Sequence, residues 1–295
     1  MKLSVVAGIG EVLWDIFPEG AHFGGAPANF ASHAAILGAE SWMVSAVGMD
    51  ALGDKALRVL ADHQVISELV ARDGQHPTGR VLVTPGNEGV PSYEIALETA
   101  WDHLAWSDDL AEFAERCDAV CFGSLAQRSI ESRSTIQRFV KTVRPDALKV
   151  FDVNLRQRFY DRETIDASLS LASAVKLNDE ELPAIAALLG LDAQDPHDLM
   201  RALMTRYHLR LAALTRGPAG ALLLDERGED ESTAPPTTVV DTVGAGDAFT
   251  AAMVVDFLSG VPLREINRHA NALASFVCSH PGATPSIPEH LRTCA

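Results

Sequence analysis

The chain has 295 residues, of which 47% are apolar, 22% charged and 6% aromatic, the proportions of a globular protein and not of a disordered or fibrous one. Its 40 acidic residues outnumber 24 basic ones, for a formal charge of −16, so nucleic acid and anionic membrane surfaces are poor partners. No stretch reads as a spanning helix or signal peptide, and Cys117, Cys121, Cys278 and Cys294 show no CxxC or zinc spacing; a reducing, cytoplasmic setting is the expectation.

In chain order, an apolar strand at Leu3–Ala7 leads to a helix over Ala28–Leu37, with Pro27 near its first position and Phe30, Ala34 and Leu37 on one face. A strand at Trp42–Ala46 and a helix at Lys55–His63 follow. Further strands are predicted at Ala119–Phe122, Lys149–Val153, Ala174–Leu177 and Leu211–Leu214, and helices at Thr135–Val143, Glu180–Leu189 and Pro196–Tyr207. This alternation predicts an α/β protein with a mostly parallel sheet covered on both faces. Two segments break the rhythm. Glu11–Phe23 and Thr78–Leu97 alternate with period two, the second around a Pro-Gly-Asn-Glu-Gly turn at 85–89. They predict a small antiparallel sheet off the core, placed to act as a lid. Asp225–Ser232 reads as an acidic surface turn.

The most informative stretch runs Val239-Val-Asp-Thr-Val-Gly-Ala-Gly-Asp-Ala-Phe249. A Gly-Ala-Gly turn opens a helix from about Asp247 to Leu258, apolar on every face and therefore buried, ended by Gly260 and Pro262. The start of a buried helix points free N–H groups and a positive dipole end at one spot, which suits phosphate. Asp247 at that spot is placed to accept a proton from an attacking hydroxyl; on local spacing alone, a helix-capping role accounts for it equally well. No Gly-x-x-x-x-Gly-Lys-Ser/Thr occurs. The dinucleotide fingerprint also fails, with Leu13 and Phe249 where a third glycine would stand.

These residues resemble the carboxy-terminal signature of the ribokinase-like (PfkB) carbohydrate kinases, in Asp241-Thr-Val-Gly-Ala-Gly-Asp-Ala-Phe249. The amino-terminal signature is matched by Gly24-Gly-Ala-Pro-Ala-Asn29 running on to Val47-Gly-Met-Asp-Ala-Leu-Gly-Asp54. The resemblance spans essentially the whole chain. It implies one ribokinase-like three-layer α/β domain over 1–295, with a lid from about 11–23 and 77–103. It further implies an ATP- and magnesium-dependent sugar kinase in which Asp247 is the base, Gly244, Ala245 and Gly246 form the anion hole, and Arg156 of Asp152-x-Asn-x-Arg156 lies near the phosphates. Asn178 and Glu181 would organise magnesium through water, although the same pair also reads as a capping box. Thr215, Arg216, Gly217, Gly220, Gly246 and Asn271 match the nucleotide pocket. Asp241, Val243, Gly282 and Ser286 match a monovalent-cation site, for which potassium is the candidate.

Asp15, Gly24, Gly25 and Asn29 match polyol-contacting positions; carboxylate and amide groups take paired hydroxyls, and glycines admit a ring close to the backbone. For Asp152 with Arg156 the competing reading is a solvated ion pair. Gly24-Gly-Ala-Pro-Ala-Asn-Phe30 together with Gly10-Glu-Val-Leu-Trp-Asp-Ile-Phe-Pro-Glu19 and His76-Pro-Thr-Gly79 resemble the bacterial fructokinase group. Arg80 is the one arginine or lysine between Gly74 and His103, which favours a neutral sugar, D-fructose first. 2-Keto-3-deoxygluconate, ribose or a nucleoside is the alternative acceptor, and a nicotinamide oxidoreductase or a non-catalytic sugar-binding regulator the alternative class. Trp14, Phe17, Phe23, Tyr93 and Trp101 on the lid segments are read as packing or as contacts of the homodimer that the resemblance implies. None of the ten histidines is expected to cluster into a metal site, and none is assigned a role.

Overall fold

The computed structural model describes residues 3–84, 92–193 and 195–294, so the predicted turn at 85–89 lies outside the described residues. β1 (Val5–Ile9) sends Val5, Ala7 and Ile9 into one apolar cluster and Val6 into another, as period-two alternation requires of a strand buried on both faces. The hairpin β2 (Leu13–Phe17) and β3 (Gly20–Gly24) leads into α1 (Ala26–Ile36), then β4 (Glu40–Gly48), α2 (Ala51–Asp62) and β5 (Val70–Asp73). A second hairpin, β6 (Gly79–Thr84) and β7 (Ser92–Ile95), is followed by α3 (Asp108–Ala114), β8 (Ala119–Phe122), α4 (Ile130–Thr142), β9 (Leu148–Asp152), α5 (Arg162–Leu171), β10 (Ala174–Asn178), α6 (Glu181–Leu189) and α7 (Pro196–Tyr207). β11 (Leu211–Thr215), β12 (Ala221–Asp225), β13 (Gly228–Ser232), α8 (Ala245–Leu258) and α9 (Leu263–Cys278) complete the chain.

Nine strands form one sheet in the order β13-β12-β11-β10-β9-β8-β1-β4-β5. From β11 to β5 neighbours run parallel; β12 and β13 add antiparallel. Helices α1, α8 and α9 pack on one face, where Phe30, Phe249, Met253 and Leu273 meet Val150, Ala213 and Leu223. α3 to α7 cover the other face, with Phe139, Ile165, Ile185 and Leu203 against Phe122, Phe151 and Leu214. The result is the predicted three-layer α/β arrangement.

The lid segments form a four-stranded sheet in the order β3-β2-β6-β7. Two antiparallel hairpins are joined by a parallel pairing of β2 with β6, so the lid is mixed and not wholly antiparallel as predicted. Trp14 and Trp101, each 1% exposed, act as packing groups at the lid's root. The Trp14 ring lies 5.6 Å from Phe23, and its Nε1–H donates to Leu52 O at 3.0 Å.

The acidic stretch at 225–232 departs from expectation: Gly228–Ser232 is an edge strand, not a surface turn. Its charges discourage further pairing, and counter-charges hold them: Arg201 reaches Glu229 and Arg216 reaches Glu231. Helix α9 also falls outside the predicted elements. Its apolar stripe is regular, Ile266, Ala270, Leu273 and Val277 at spacings of three and four, and Asn267, His269 and Asn271 are buried beside it.

Candidate active site

The site residues gather at the carboxyl ends of the parallel strands. There the chain, having laid β4 and β5 on one side of β1, crosses to the other side with β8. Such a reversal opens a crevice at the top of a sheet. α8 enters this crevice through Gly244, whose φ is +78°; a Cβ there would lie 2.4 Å from Ala283 O, so only glycine makes the turn. Asp241 fixes the loop before it, Oδ1 accepting from Val243 N–H and Oδ2 from Gly282 N–H, both at 3.0 Å. Ala283 O in turn accepts from His33 Nε2 at 2.9 Å. Burial pushes His33 down to about 4, so its imidazole is a neutral strut between α1 and this loop.

The first-turn amides of α8 have no helical carbonyl ahead of them. A second positive group lies against them: Lys176 Nζ would be 2.8 Å from a Cβ on Gly246. Lys176 is buried and pairs with buried Asp152 at 3.2 Å. Burial acts to lower its pKa, but the carboxylates of Asp152, Glu181 and Asp247 outweigh it and raise the value. The other Asp152 oxygen accepts from Thr250 Oγ1 at 2.9 Å. Asp152 and Arg156 therefore do not form the surface ion pair that their spacing allowed.

Asp247 does not cap its helix; α8 has no side-chain cap. Its Oδ2 accepts from Asn29 Nδ2 at 2.8 Å, across 218 residues of sequence. Burial raises its pKa to about 6 with help from the Asp152 charge, against the opposing pull of Asn29, Lys176 and Arg156. Asp15 rises to about 6 as well, through burial opposed chiefly by Arg156, and its Oδ2 lies 2.9 Å from the Cβ position of Gly24. Gly25 is required: its φ is +109° and a Cβ would meet Glu11 O at 2.4 Å. Glu11 is 2% exposed, and its Oε2 and Asn29 Oδ1 are buried without hydrogen-bond partners. Burial lifts the Glu11 carboxyl to about 7, against hydrogen bonds from backbone amides and with Asp247 adding to the rise. Exposed Arg156 acts electrostatically on Glu11, Asp15 and Asp247 together, which places its charge at the same site.

At the end of β10, Asn178 Oδ1 accepts from Glu180 and Glu181 N–H, while Glu181 Oε2 accepts from Asn178 N–H. This is a reciprocal capping box. The second Glu181 oxygen accepts from Leu155 N–H. Thr215 ends β11 beside this box, Asp179 N–H donating to its carbonyl. Gly217 and Gly220 shape the turn that follows, but Arg216 is drawn aside by Glu231 at 2.7 Å. Asn271 spends its Nδ2 donors on Asn267 O and Oδ1, inside α9. Asp241 brings Val243 and Gly282 together, whereas Ser286 is exposed.

Glu11 and Lys176 are the residues that motif reading missed, and both left a signal. Lys176, one of only five lysines, interrupts an apolar buried strand, and Glu11 follows the apolar β1 after a single glycine. Such charges persist in a core only when paired or functional.

The fold and this constellation define a ribokinase-like kinase class. The chain belongs to the pfkB family of carbohydrate kinases, whose model it matches over residues 19–290. It is 30% identical over 313 residues to the uncharacterized sugar kinase PH1459 of Pyrococcus horikoshii, covering 99% of this chain and 96% of that one. The crystal structure of that protein in complex with ATP superposes with a TM-score of 0.80, at 27% identity and covering 96% and 94% of the two chains. A fructokinase of Salmonella typhimurium is 31% identical over 267 residues, 86% of this chain and 85% of its own. The fold recurs, with a TM-score of 0.83 at 21% identity and 95% and 94% coverage, in a Xylella fastidiosa fructokinase with bound ATP.

Proposed function

We propose that the protein transfers the γ-phosphoryl group of ATP to the C6 hydroxyl of free D-fructose. The observation that carries the reading is the half-buried Asp247 carboxylate at the first turn of α8, held by Asn29 and raised to about 6. A base poised there is ionised at neutral pH yet basic enough to take a hydroxyl proton. In the proposed step Asp247 receives that proton as the sugar oxygen forms its bond to phosphorus and the bond to the departing ADP oxygen breaks. The amides of Gly244, Ala245 and Gly246 with Lys176 and Arg156 stabilise charge on the transferring oxygens. Positioning and charge stabilisation supply most of what phosphoryl transfer needs.

Asp15, Asn29 and the Gly24–Gly25 backbone would hold the sugar. The partnerless Glu11 Oε2 and Asn29 Oδ1 are the kind of buried atoms that hydroxyl donors satisfy. Thr215, Arg216, Gly217, Gly220 and Asn271 are proposed for the nucleotide, Arg216 after release from Glu231. Glu181 has both oxygens engaged by backbone, so Asn178 and Glu181 fit magnesium held through retained water. Magnesium would neutralise the phosphate oxygens when bound. Asp241, Val243, Gly282 and Ser286 are proposed for potassium. Fructose is favoured by the fructokinase relatives and by Arg80 as the only arginine or lysine in the second lid segment, too little for a phosphosugar. Exposed Leu82 and Tyr93 support a homodimer through the lids. No helix among the described residues is long and apolar enough to cross a membrane, in keeping with a cytoplasmic kinase.

ADP release measured against fructose, ribose, 2-keto-3-deoxygluconate and a nucleoside tests this reading. Fructose is expected to give the highest kcat/KM. ADP release at the same rate with and without every acceptor would sink the kinase assignment, and a clear preference for another sugar would replace fructose.

A further inference from the structure

Two histidines 27 positions apart in the sequence meet at the root of the lid, outside the site described above. His76 precedes β6, His103 closes the turn that returns the lid to the body, and Glu98 lies between β7 and that turn. One donor atom of each lies within 4.8 Å of the other two. The rings are stacked, centroids 3.6 Å apart and planes 11° from parallel. Each is held by its Nδ1: His76 Nδ1 is 2.8 Å from Asp73 Oδ2, and His103 Nδ1 is 3.1 Å from Glu131 Oε2. A carboxylate opposite Nδ1 keeps the proton on that nitrogen and leaves Nε2 as a bare lone pair. His103 Nε2 is buried without a hydrogen-bond partner, 3.4 Å from a Glu98 carboxylate oxygen. With the ring neutral, the two facing atoms are both lone pairs and repel unless a cation stands between them.

We propose that His76, Glu98 and His103 bind a divalent transition-metal ion of the zinc class, with a water in the fourth position. Two imidazoles and a carboxylate are a donor set that zinc accepts and magnesium does not favour. The Asp73 and Glu131 contacts to Nδ1 are the outer carboxylates that orient metal-binding histidines. Binding splays the stacked rings, because tetrahedral bonds diverge from the ion. Asp73 ends β5 and Glu131 stands in the first turn of α4, so the ion fastens both ends of the second lid hairpin to the body. Asp73 and His103 also line a surface cavity of about 620 Å³, which gives the ion a way in.

Calorimetric titration of chelator-stripped protein with zinc chloride at neutral pH tests the proposal, with cobalt(II) absorption as a second readout. One ion per chain and a tetrahedral cobalt spectrum are expected, both abolished by the double substitution His76→Gln/His103→Gln. Glu98 is 81% exposed along its side chain, so Glu98→Gln tests the same site without threatening the fold and weakens binding at least tenfold. Glu131→Gln lowers affinity about 10- to 100-fold. Cys294→Ser leaves binding unchanged, which separates this site from the Asp256, His269 and Cys294 cluster. Absence of zinc binding, or binding that survives in both the double variant and Glu98→Gln, overturns the proposal. Neither result bears on the kinase reading, since no residue of the proposed base, anion hole or sugar site is altered.

Discussion

Replacing Asp247 by asparagine should make the protein more stable while removing most of its activity, and pH should tune the first effect. Asparagine keeps the size of the side chain and can accept the Asn29 hydrogen bond, but carries no charge. In the fold the carboxyl is raised from 3.8 to about 6, so holding it ionised at neutral pH costs about 3 kcal/mol. A carboxyl raised on folding favours the folded state most at low pH, and that contribution is lost as pH rises from the unfolded value through the folded one. Asp247→Asn should therefore match the parent below about pH 4. By the same relation it should gain about 3 kcal/mol near pH 8 and roughly half of that near pH 5. Urea unfolding of both chains at the two higher pH values reads the difference. ADP release should fall by about 10²–10⁴ in the same variant. A stability difference independent of pH would refute the burial argument, and turnover close to the parent's would refute the base assignment.

For the parent chain, kcat/KM should fall about tenfold per pH unit below about pH 6, where Asp247 takes up its proton; a profile flat to pH 5 would show that no such group matters. Lys176→Met leaves the buried Asp152 carboxylate without its 3.2 Å partner and should destabilise by about 3–5 kcal/mol. The double variant Lys176→Met/Asp152→Leu should recover most of that in chemical denaturation, and no recovery would mean that the ion pair is not the cause. Gly244→Ala places a Cβ 2.4 Å from Ala283 O at a φ of +78° and should cost about 1–3 kcal/mol in strain, with a loss of turnover measurable by ADP release; unchanged activity would remove the need for this turn.

The helix that opens after Gly-Ala-Gly was legible because turn and periodicity are properties of neighbouring residues. The strand at Ala119–Phe122 and the helix at Pro196–Tyr207 have the same bounds in sequence pattern and structure. The apolar stripe of α9, Ile266, Ala270, Leu273 and Val277, was there to be read, but the work of its buried Asn267 and His269 was not, because their partners, Ala221 O and Asp256, lie on other elements. Nor was β13: Gly-Glu-Asp-Glu-Ser has no apolar alternation, and only β12 beside it, with Arg201 and Arg216 across from its acids, makes it a strand.

By itself the sequence determined the layered α/β architecture, the glycine turn at the head of α8 and the acidic residue three places beyond Gly244. Backbone conformation, helix phase and burial pattern are written over a few residues at a time. Only the tertiary structure decided that Asn29 would grip Asp247, that Lys176 rather than Arg156 would neutralise Asp152, and that His76 would stack on His103. Those choices depend on which distant segments share a buried space, where a charge or lone pair must be matched by whatever group the fold brings beside it.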